Sequence, residues 1–358
     1  MTLRIAYVIN SLEGGGAALP VPSIVDVLRR AGAEVKVFAL TARDERARAA
    51  LVAAEIDVAV RAGGEDDHFA ALRWLDQSVR AWGATHLWTS LTRATLLGQL
   101  VGLRRRLPVI SWQHNAFLKP ANLWLLRTTR DLSKLWVGDS DEVTRLTAER
   151  LGVNPERVLR WPIFRADPTA PVASSWTPGE TIRIGTLGRL HPAKGYDLLV
   201  DALAQLPPGL PPFEIVIGGE GAQRAALLAQ MEARGVRTVR LAGYVEDPKA
   251  FLAGLHLYLQ PSRREGLCIA AHEAMQAGLP VVAAAVGQLP FSIQHGITGH
   301  LFPPGDIAAL SATLEQVLSE PEALAARGMA ARYHILDEFG PAPFEAAGLA
   351  ILERLSAF

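Results

Sequence analysis

Cysteine is nearly absent from the sequence: Cys268 stands alone among 358 residues. A lone thiol makes no internal disulfide and no multi-cysteine metal site, which excludes zinc fingers and iron–sulfur ferredoxins and favours a reducing compartment. An excess of either charge is missing too, because 36 Lys and Arg balance 36 Asp and Glu. With no global field to hold a phosphate polymer, no nucleic-acid partner is expected, although a local basic run, Arg104-Arg105-Arg106, is present. Long apolar runs are lacking as well. The longest stretch without formal charge, 274–305, is broken by Gly278, Pro280, Gly287, Pro290, Gly296, Pro303 and Pro304, so it fails as a span of about 20 apolar residues. Residues 1–9 are too short for a signal-peptide core and read as a first strand.

What is present is a chain with 49% hydrophobic residues and 23 prolines, too apolar for disorder and long enough for two domains. Short apolar runs bounded by turn residues alternate with amphipathic helical segments, the pattern of a parallel sheet covered on both faces. Strands are predicted at 4–10, 34–40, 57–61, 86–90, 107–114, 134–140 and 157–164, and again at 182–188, 213–219, 239–245, 255–261, 279–285 and 299–302. Between the two sets, 166–180 is rich in Pro, Ser, Thr and Ala, the composition of a linker. The expected fold class is α/β, with two doubly wound, Rossmann-like domains at 1–165 and 181–335 and a final segment at 336–358. Ligands of such sheets bind beyond the carboxyl ends of the strands, so a cleft between facing domains is expected to hold the chemistry.

Several motifs fail. Lys194 precedes Gly195 where a phosphate loop needs glycine then lysine, and Gly219-Glu220-Gly221 is followed by Ala222, Gln223 and Arg224, without the third glycine of a dinucleotide fingerprint. His272-Glu273-Ala274-Met275-Gln276 places glutamine where a zinc protease needs its second imidazole. Asp139-Ser140-Asp141 reads either as a metal-binding pair or, more blandly, as a helix cap at a strand end.

The surviving signals are strand ends in the second half. Gly188-Arg189 leads into Lys194-Gly195 before a helix, so two cations would project beside a helix N-terminus, an anion site suited to a diphosphate. A solvated loop would explain the same residues. Gly218-Gly219-Glu220-Gly221 offers a second place where backbone can approach a flat or anionic ligand. Next, Pro261-Ser-Arg-Arg-Glu265-Gly266-Leu267-Cys268 runs into a predicted helix whose first free amides, from Gly266 to Cys268, could hold phosphate oxygens. Glu273 would lie two turns deeper, roughly 12 Å along the axis, and could accept sugar hydroxyls at the far end of one ligand. It is flanked by Ile269, Ala270, Ala274 and Ala277, and an unpaired buried carboxylate is costly enough to favour a ligand over a purely structural role.

Taken together, 188–197, 218–221, 241–245 and Pro-Ser-x-x-Glu-Gly with the spaced pair Glu265 and Glu273 resemble the retaining nucleotide-sugar glycosyltransferases of family 4, which have the GT-B fold. The resemblance extends loosely to Gly14-Gly15-Gly16 after the first strand and to Trp112-Gln113-His114-Asn115. It implies that Arg189 and Lys194 neutralise the donor diphosphate, that Glu273 holds the ribose, and that Glu265 with the amides of Gly266, Leu267 and Cys268 holds sugar and phosphate. The base would sit near Gly219, Glu220, Tyr244 and Val245, with Gly15, Gly16 and Gly188 approaching the donor. His114 would lie beside the reacting sugar as a positioning or electrostatic group, and as a catalytic set with Arg189, Lys194 and Glu265; a satisfied core histidine is the alternative. No metal or other cofactor is implied. The last helix is expected to pack back on the first domain.

Departures from the family pattern follow. Gly287-Gln288-Leu289-Pro290-Phe291 carries Phe291 where the family has a carboxylate, and Pro20 and Pro22 are expected to disturb the helix after the glycine loop. The segment 118–130, with Trp124, Leu123, Leu125 and Leu126 beside Lys119, Arg127 and Arg130, offers surface for a lipid-linked acceptor or membrane face, or is an ordinary amphipathic core helix. The implied protein is a cytoplasmic enzyme peripheral to the membrane that extends a bacterial surface polysaccharide or lipopolysaccharide, using a UDP- or GDP-sugar. A non-catalytic nucleotide-sugar binder and a sugar-nucleotide epimerase are the competing classes.

Overall fold

The structure is a computed structural model that describes residues 3–13, 16–43, 45–114 and 118–355. These form two compact units, Met1–Arg165 with Ala342–Phe358, and Ala166–Pro341.

In the first unit, strands β1 (Arg4–Ile9), β2 (Glu34–Ala39), β3 (Asp57–Val60), β4 (His86–Ser90), β5 (Val109–Gln113), β6 (Leu135–Gly138) and β7 (Val158–Arg160) form a parallel sheet. Its order is β3-β2-β1-β4-β5-β6-β7. In the second, β8 (Ile182–Leu187), β9 (Phe213–Gly218), β10 (Val239–Gly243), β11 (Leu257–Gln260), β12 (Val281–Ala284) and β13 (Gly299–Phe302) take the order β10-β9-β8-β11-β12-β13. Both sheets are parallel throughout. The central strands are buried on both faces, as in Ile5–Ile9 and Leu257–Gln260, which explains their continuous rather than alternating apolar pattern. In each sheet the order reverses once, between β1 and β4 and between β8 and β11, and a crevice opens at the carboxyl ends of such a pair.

The segment 166–180 is part of the second unit and is tied into it: Ala166 N–H donates to Phe339 O (2.7 Å), Asp167 N–H to Gln276 Oε1 (2.6 Å) and Ala173 N–H to Ala277 O (2.8 Å). The last helix, Pro341–Leu355, brings Phe344 to 5.4 Å from the Trp161 ring, itself stacked on Trp112 at 5.1 Å. Gly348 lets that helix approach Trp161, and Arg30 pairs with Glu345 at 2.7 Å. The prolines near residue 20 do not disturb their helix. It runs Val21–Arg30 with Pro20 as its cap residue and Pro22 in its first turn, where the missing N–H would have had no partner. Among the described residues no helix is long and apolar enough to cross a membrane.

Candidate functional site

The glycine-bearing ends of β8 and β9 touch each other. Gly188 N–H donates to Gly218 O (2.9 Å) and Leu190 N–H to Glu220 O (2.8 Å). Gly219 has φ +142°, and any Cβ there would run into the Gly188 carbonyl, so the approach of the two loops requires glycine. Val245 packs over Gly218, while Tyr244 beside it is 57% exposed. Arg189 projects from this rim into solvent, and no hydrogen bond or ion pair holds its guanidinium among the described residues.

The loop carrying Lys194 is tied to the loop after β11. Gly195, at φ +67°, lies where a Cβ would strike the Pro261 carbonyl; Arg263 N–H donates to Ala193 O (2.8 Å), and the Arg263 guanidinium grips Asp197 with two bonds of 2.7 and 2.6 Å. This brings Lys194 Nζ to 2.7 Å from Glu265 Oε1. Burial works against the ammonium, but the Glu265 carboxylate outweighs it and Lys194 is held above its ordinary range. Two residues expected to serve different parts of a ligand are thus partners of each other. The same Glu265 oxygen accepts from Ser262 Oγ (2.6 Å) and Gln260 Nε2 (3.0 Å).

The following helix starts later than expected, at Ile269, and runs to Gln276. Cys268 at its entry adopts a left-handed conformation, φ +63°, which turns the chain sharply before the first helical residue. The amides of Gly266 and Leu267 therefore belong to the turn ahead of the helix, and Glu273 stands one turn inside it rather than two. Gly287, at φ +58°, backs this turn, and Gln288 N–H donates to Gly266 O (2.9 Å). Burial pushes the Cys268 thiol up, as does the adjacent Glu265, so it stays a neutral packing group. His272 is satisfied in the core, with Nδ1 3.0 Å from Cys268 O and Nε2 2.9 Å from Ser292 Oγ. Glu273 is different. Its carboxylate has no hydrogen bond or ion pair among the described residues, and burial raises it to about 7, with Lys249 pulling the other way.

In the first unit, His114 follows β5; its Nε2 has a hydrogen-bond partner, whereas its buried Nδ1 faces Asp139 without a hydrogen bond among the described residues. Ser90 Oγ lies 2.7 Å from Nε2, and Asp139 Oδ2 lies 3.4 Å from Nδ1, with all three side chains largely buried. Ser140 takes the capping role, accepting from Val143 N–H (3.1 Å), which leaves Asp139 to face the imidazole. The sequence marks Asp139 only within Asp139-Ser140-Asp141, as a metal-binding pair or a cap, and gives Ser90 no signal beyond its place at the end of a predicted strand. Gly16 lies in an exposed turn, whereas Gly14, Gly15 and Asn115 lie outside the described residues. Further along, the helix Pro120–Thr129 carries Trp124, 64% exposed, at a hollow of about 600 Å³ lined also by Leu123, Arg127 and Arg130. Among the described residues no group of three or more His, Cys, Asp and Glu is placed to hold a metal ion.

Residues 173–334 match the family described as Glycosyl transferases group 1. A phosphatidyl-myo-inositol mannosyltransferase from Propionibacterium freudenreichii is 31% identical over 276 residues, covering 73% of this chain and 68% of its own. A glycogen synthase from Mycobacterium tuberculosis is 31% identical over 228 residues, 60% of this chain, and this chain spans about half (52%) of that relative's length. Among solved structures, Anabaena Alr3699/HepE in complex with UDP superposes with a TM-score of 0.83 at 20% identity, over 99% of this chain and all of that one. The architecture is accordingly GT-B, two Rossmann-like α/β units.

Proposed function

Because the chain belongs to the group 1 glycosyltransferases, we propose that it moves a sugar, with retention of anomeric configuration and without a metal, from a UDP- or GDP-sugar to a saccharide or lipid-linked acceptor. The observation that carries this reading is the rim of the second sheet, where an unpaired exposed cation, Arg189, a half-buried Lys194–Glu265 pair and an unpartnered carboxylate, Glu273, lie at strand ends that only glycine can build. Breaking a sugar–phosphate bond places growing charge on the diphosphate. Arg189, Lys194 and the amides of Gly266 to Cys268 are groups suited to meet that charge without reorganising. Glu273 is assigned to the ribose hydroxyls and Glu265 to the sugar, while Gly219, Glu220, Tyr244 and Val245 are assigned to the base. His114, hydrogen-bonded to Ser90 and facing Asp139, is assigned to positioning the reacting sugar.

Relatives named for lipid and lipopolysaccharide acceptors support the acceptor class: the phosphatidyl-myo-inositol mannosyltransferase and a lipopolysaccharide core mannosyltransferase, LpcC, from Rhizobium leguminosarum, 30% identical over 174 residues. Solved neighbours in complex with UDP and with UDP-glucose support the donor class. We place the enzyme at the cytoplasmic face of the membrane, in surface-polysaccharide or lipopolysaccharide synthesis, with the Trp124 face toward lipid.

Calorimetry of UDP-, GDP- and ADP-sugars with wild type and Glu273→Ala, with and without EDTA, tests the donor site. Selective, EDTA-insensitive binding that weakens in the variant is expected. Failure of every nucleotide sugar to bind at millimolar concentration would remove the assignment. Release of nucleotide only on adding an acceptor distinguishes a transferase from a silent binder, and epimer formation without acceptor would mark an epimerase.

A further inference from the structure

Glu265 is held by a hydrogen-bond relay that starts in the neighbouring strand. Leu187 N–H, at the end of β8, donates to the Tyr258 hydroxyl (3.1 Å), and that hydroxyl donates to Gln260 Oε1 (2.9 Å). Gln260 then spends both amide hydrogens, one on Ser262 Oγ (2.8 Å) and one on Glu265 Oε1 (3.0 Å). Tyr258, Gln260 and Ser262 are wholly buried, so water cannot substitute for any of these bonds. A glutamine amide in this place has two orientations. Turned over, it would set Oε1 against the Glu265 carboxylate, acceptor against acceptor. The Tyr258 hydroxyl disfavours that orientation, because its hydrogen would exchange Oε1 at 2.9 Å for the Leu187 carbonyl, its other acceptor, at 3.4 Å.

We propose that Gln260 is a positioning residue for Glu265, oriented by Tyr258. With Lys194 and Ser262 it saturates Oε1 and leaves Oε2, which none of these three donors uses, as the oxygen presented to a sugar hydroxyl. Tyr258 acts on the ligand only through the direction of the Gln260 amide. This rests on the donor reading of Glu265.

The test compares UDP with UDP-glucose, and GDP with GDP-mannose, by calorimetry on wild type, Tyr258→Phe, Gln260→Leu and the double variant, with crystal structures of the ligand-free proteins. Each single variant is expected to weaken the nucleotide sugar about tenfold while leaving the bare nucleotide unchanged, the scale of one hydrogen bond to a charged group. The double variant should be no weaker than Gln260→Leu, and in Tyr258→Phe the Glu265 carboxylate should move out of hydrogen-bond reach of Gln260. Equal loss for nucleotide and nucleotide sugar, or additive losses, would overturn the proposal by marking a general packing role. If wild type binds no nucleotide, the donor reading fails. The ligand-free structure then decides the relay alone: an unmoved Glu265 in Tyr258→Phe overturns it.

Discussion

Lys194 Nζ and Glu265 Oε1, 71 residues apart in sequence, lie 2.7 Å apart at the carboxyl end of the second sheet, with only 8% of the Glu265 side chain exposed. Removing one member of such a pair strands the other. Lys194→Met is expected to destabilise the protein by about 2–4 kcal/mol, because Glu265 would keep its burial cost and lose its cation. Lys194→Met with Glu265→Gln should regain most of that loss, while both proteins lose nucleotide-sugar binding. Urea unfolding of the two single variants and the double variant measures the coupling, and simple additivity would mean that the pair does not stabilise the fold.

Glu273 sets a pH dependence whose sign follows from its environment. Its carboxyl is raised to about 7 by burial. The native state therefore holds a proton that the unfolded chain has already released above its ordinary value, and stability from this group falls as pH rises toward 7. Glu273→Gln should abolish that fall, leaving the variant more stable than wild type above pH 7 by on the order of 1–3 kcal/mol and nearly equal to it at acid pH. Ligand binding should run the other way. Sugar hydroxyls donate to an ionised carboxylate, so UDP-glucose affinity is expected to rise as pH goes from 6 to 7.5 and then level off, with proton release detectable by calorimetry in two buffers.

Both sheets were legible because a doubly covered parallel strand has to be a short apolar run: every predicted strand segment contains a strand, from β1 to β13, although the bounds were too wide, most of all at 157–164, where β7 covers only Val158–Arg160. The site was legible only in pieces. Arg189, Lys194, Gly219 and Glu265 stand at strand ends where turn chemistry marks them, but nothing local says that Lys194 would spend its charge on Glu265. That pairing depends on the Gly195 turn lying against Pro261. The left-handed Cys268 was hidden for a similar reason, since a non-glycine residue gives no sign of a positive φ that tertiary packing imposes. Tyr258 and Gln260 could have been noticed as polar groups in an otherwise apolar strand.

Gly348 tests the packing of the last helix. A Cβ there would come within 2.6 Å of the Trp161 ring and 2.8 Å of Val27, and both side chains are buried. Alanine favours a helix interior by about 1 kcal/mol over glycine, whereas overpacking a rigid aromatic costs about 1–3 kcal/mol. The ring has no room to yield, since it is stacked on Trp112 and flanked by Trp88. Gly348→Ala is therefore expected to lower stability, and Gly348→Leu to lower it further. A rise in the melting temperature of the alanine variant would show that propensity outweighs the contact.

The Trp124 face gives the last prediction. The helix Pro120–Thr129 buries Leu126 and turns Trp124, Arg127 and Thr128 to solvent, and neither Arg127 nor the neighbouring Lys119 has a side-chain partner among the described residues. An indole beside free cations suits the interface of an anionic bilayer, where each basic side chain adds about 1 kcal/mol. Co-sedimentation with vesicles of phosphatidylglycerol and phosphatidylcholine is expected to retain the wild type and to release it as salt is raised, because the attraction is screened within a Debye length. Arg127→Glu should cut binding by more than tenfold, since it removes one attraction and adds one repulsion. Trp124→Ala should weaken binding in a way that salt does not alter, as the indole contributes area rather than charge. Equal sedimentation of wild type with neutral and anionic vesicles would rule out the charge argument and leave this face as surface of the fold alone.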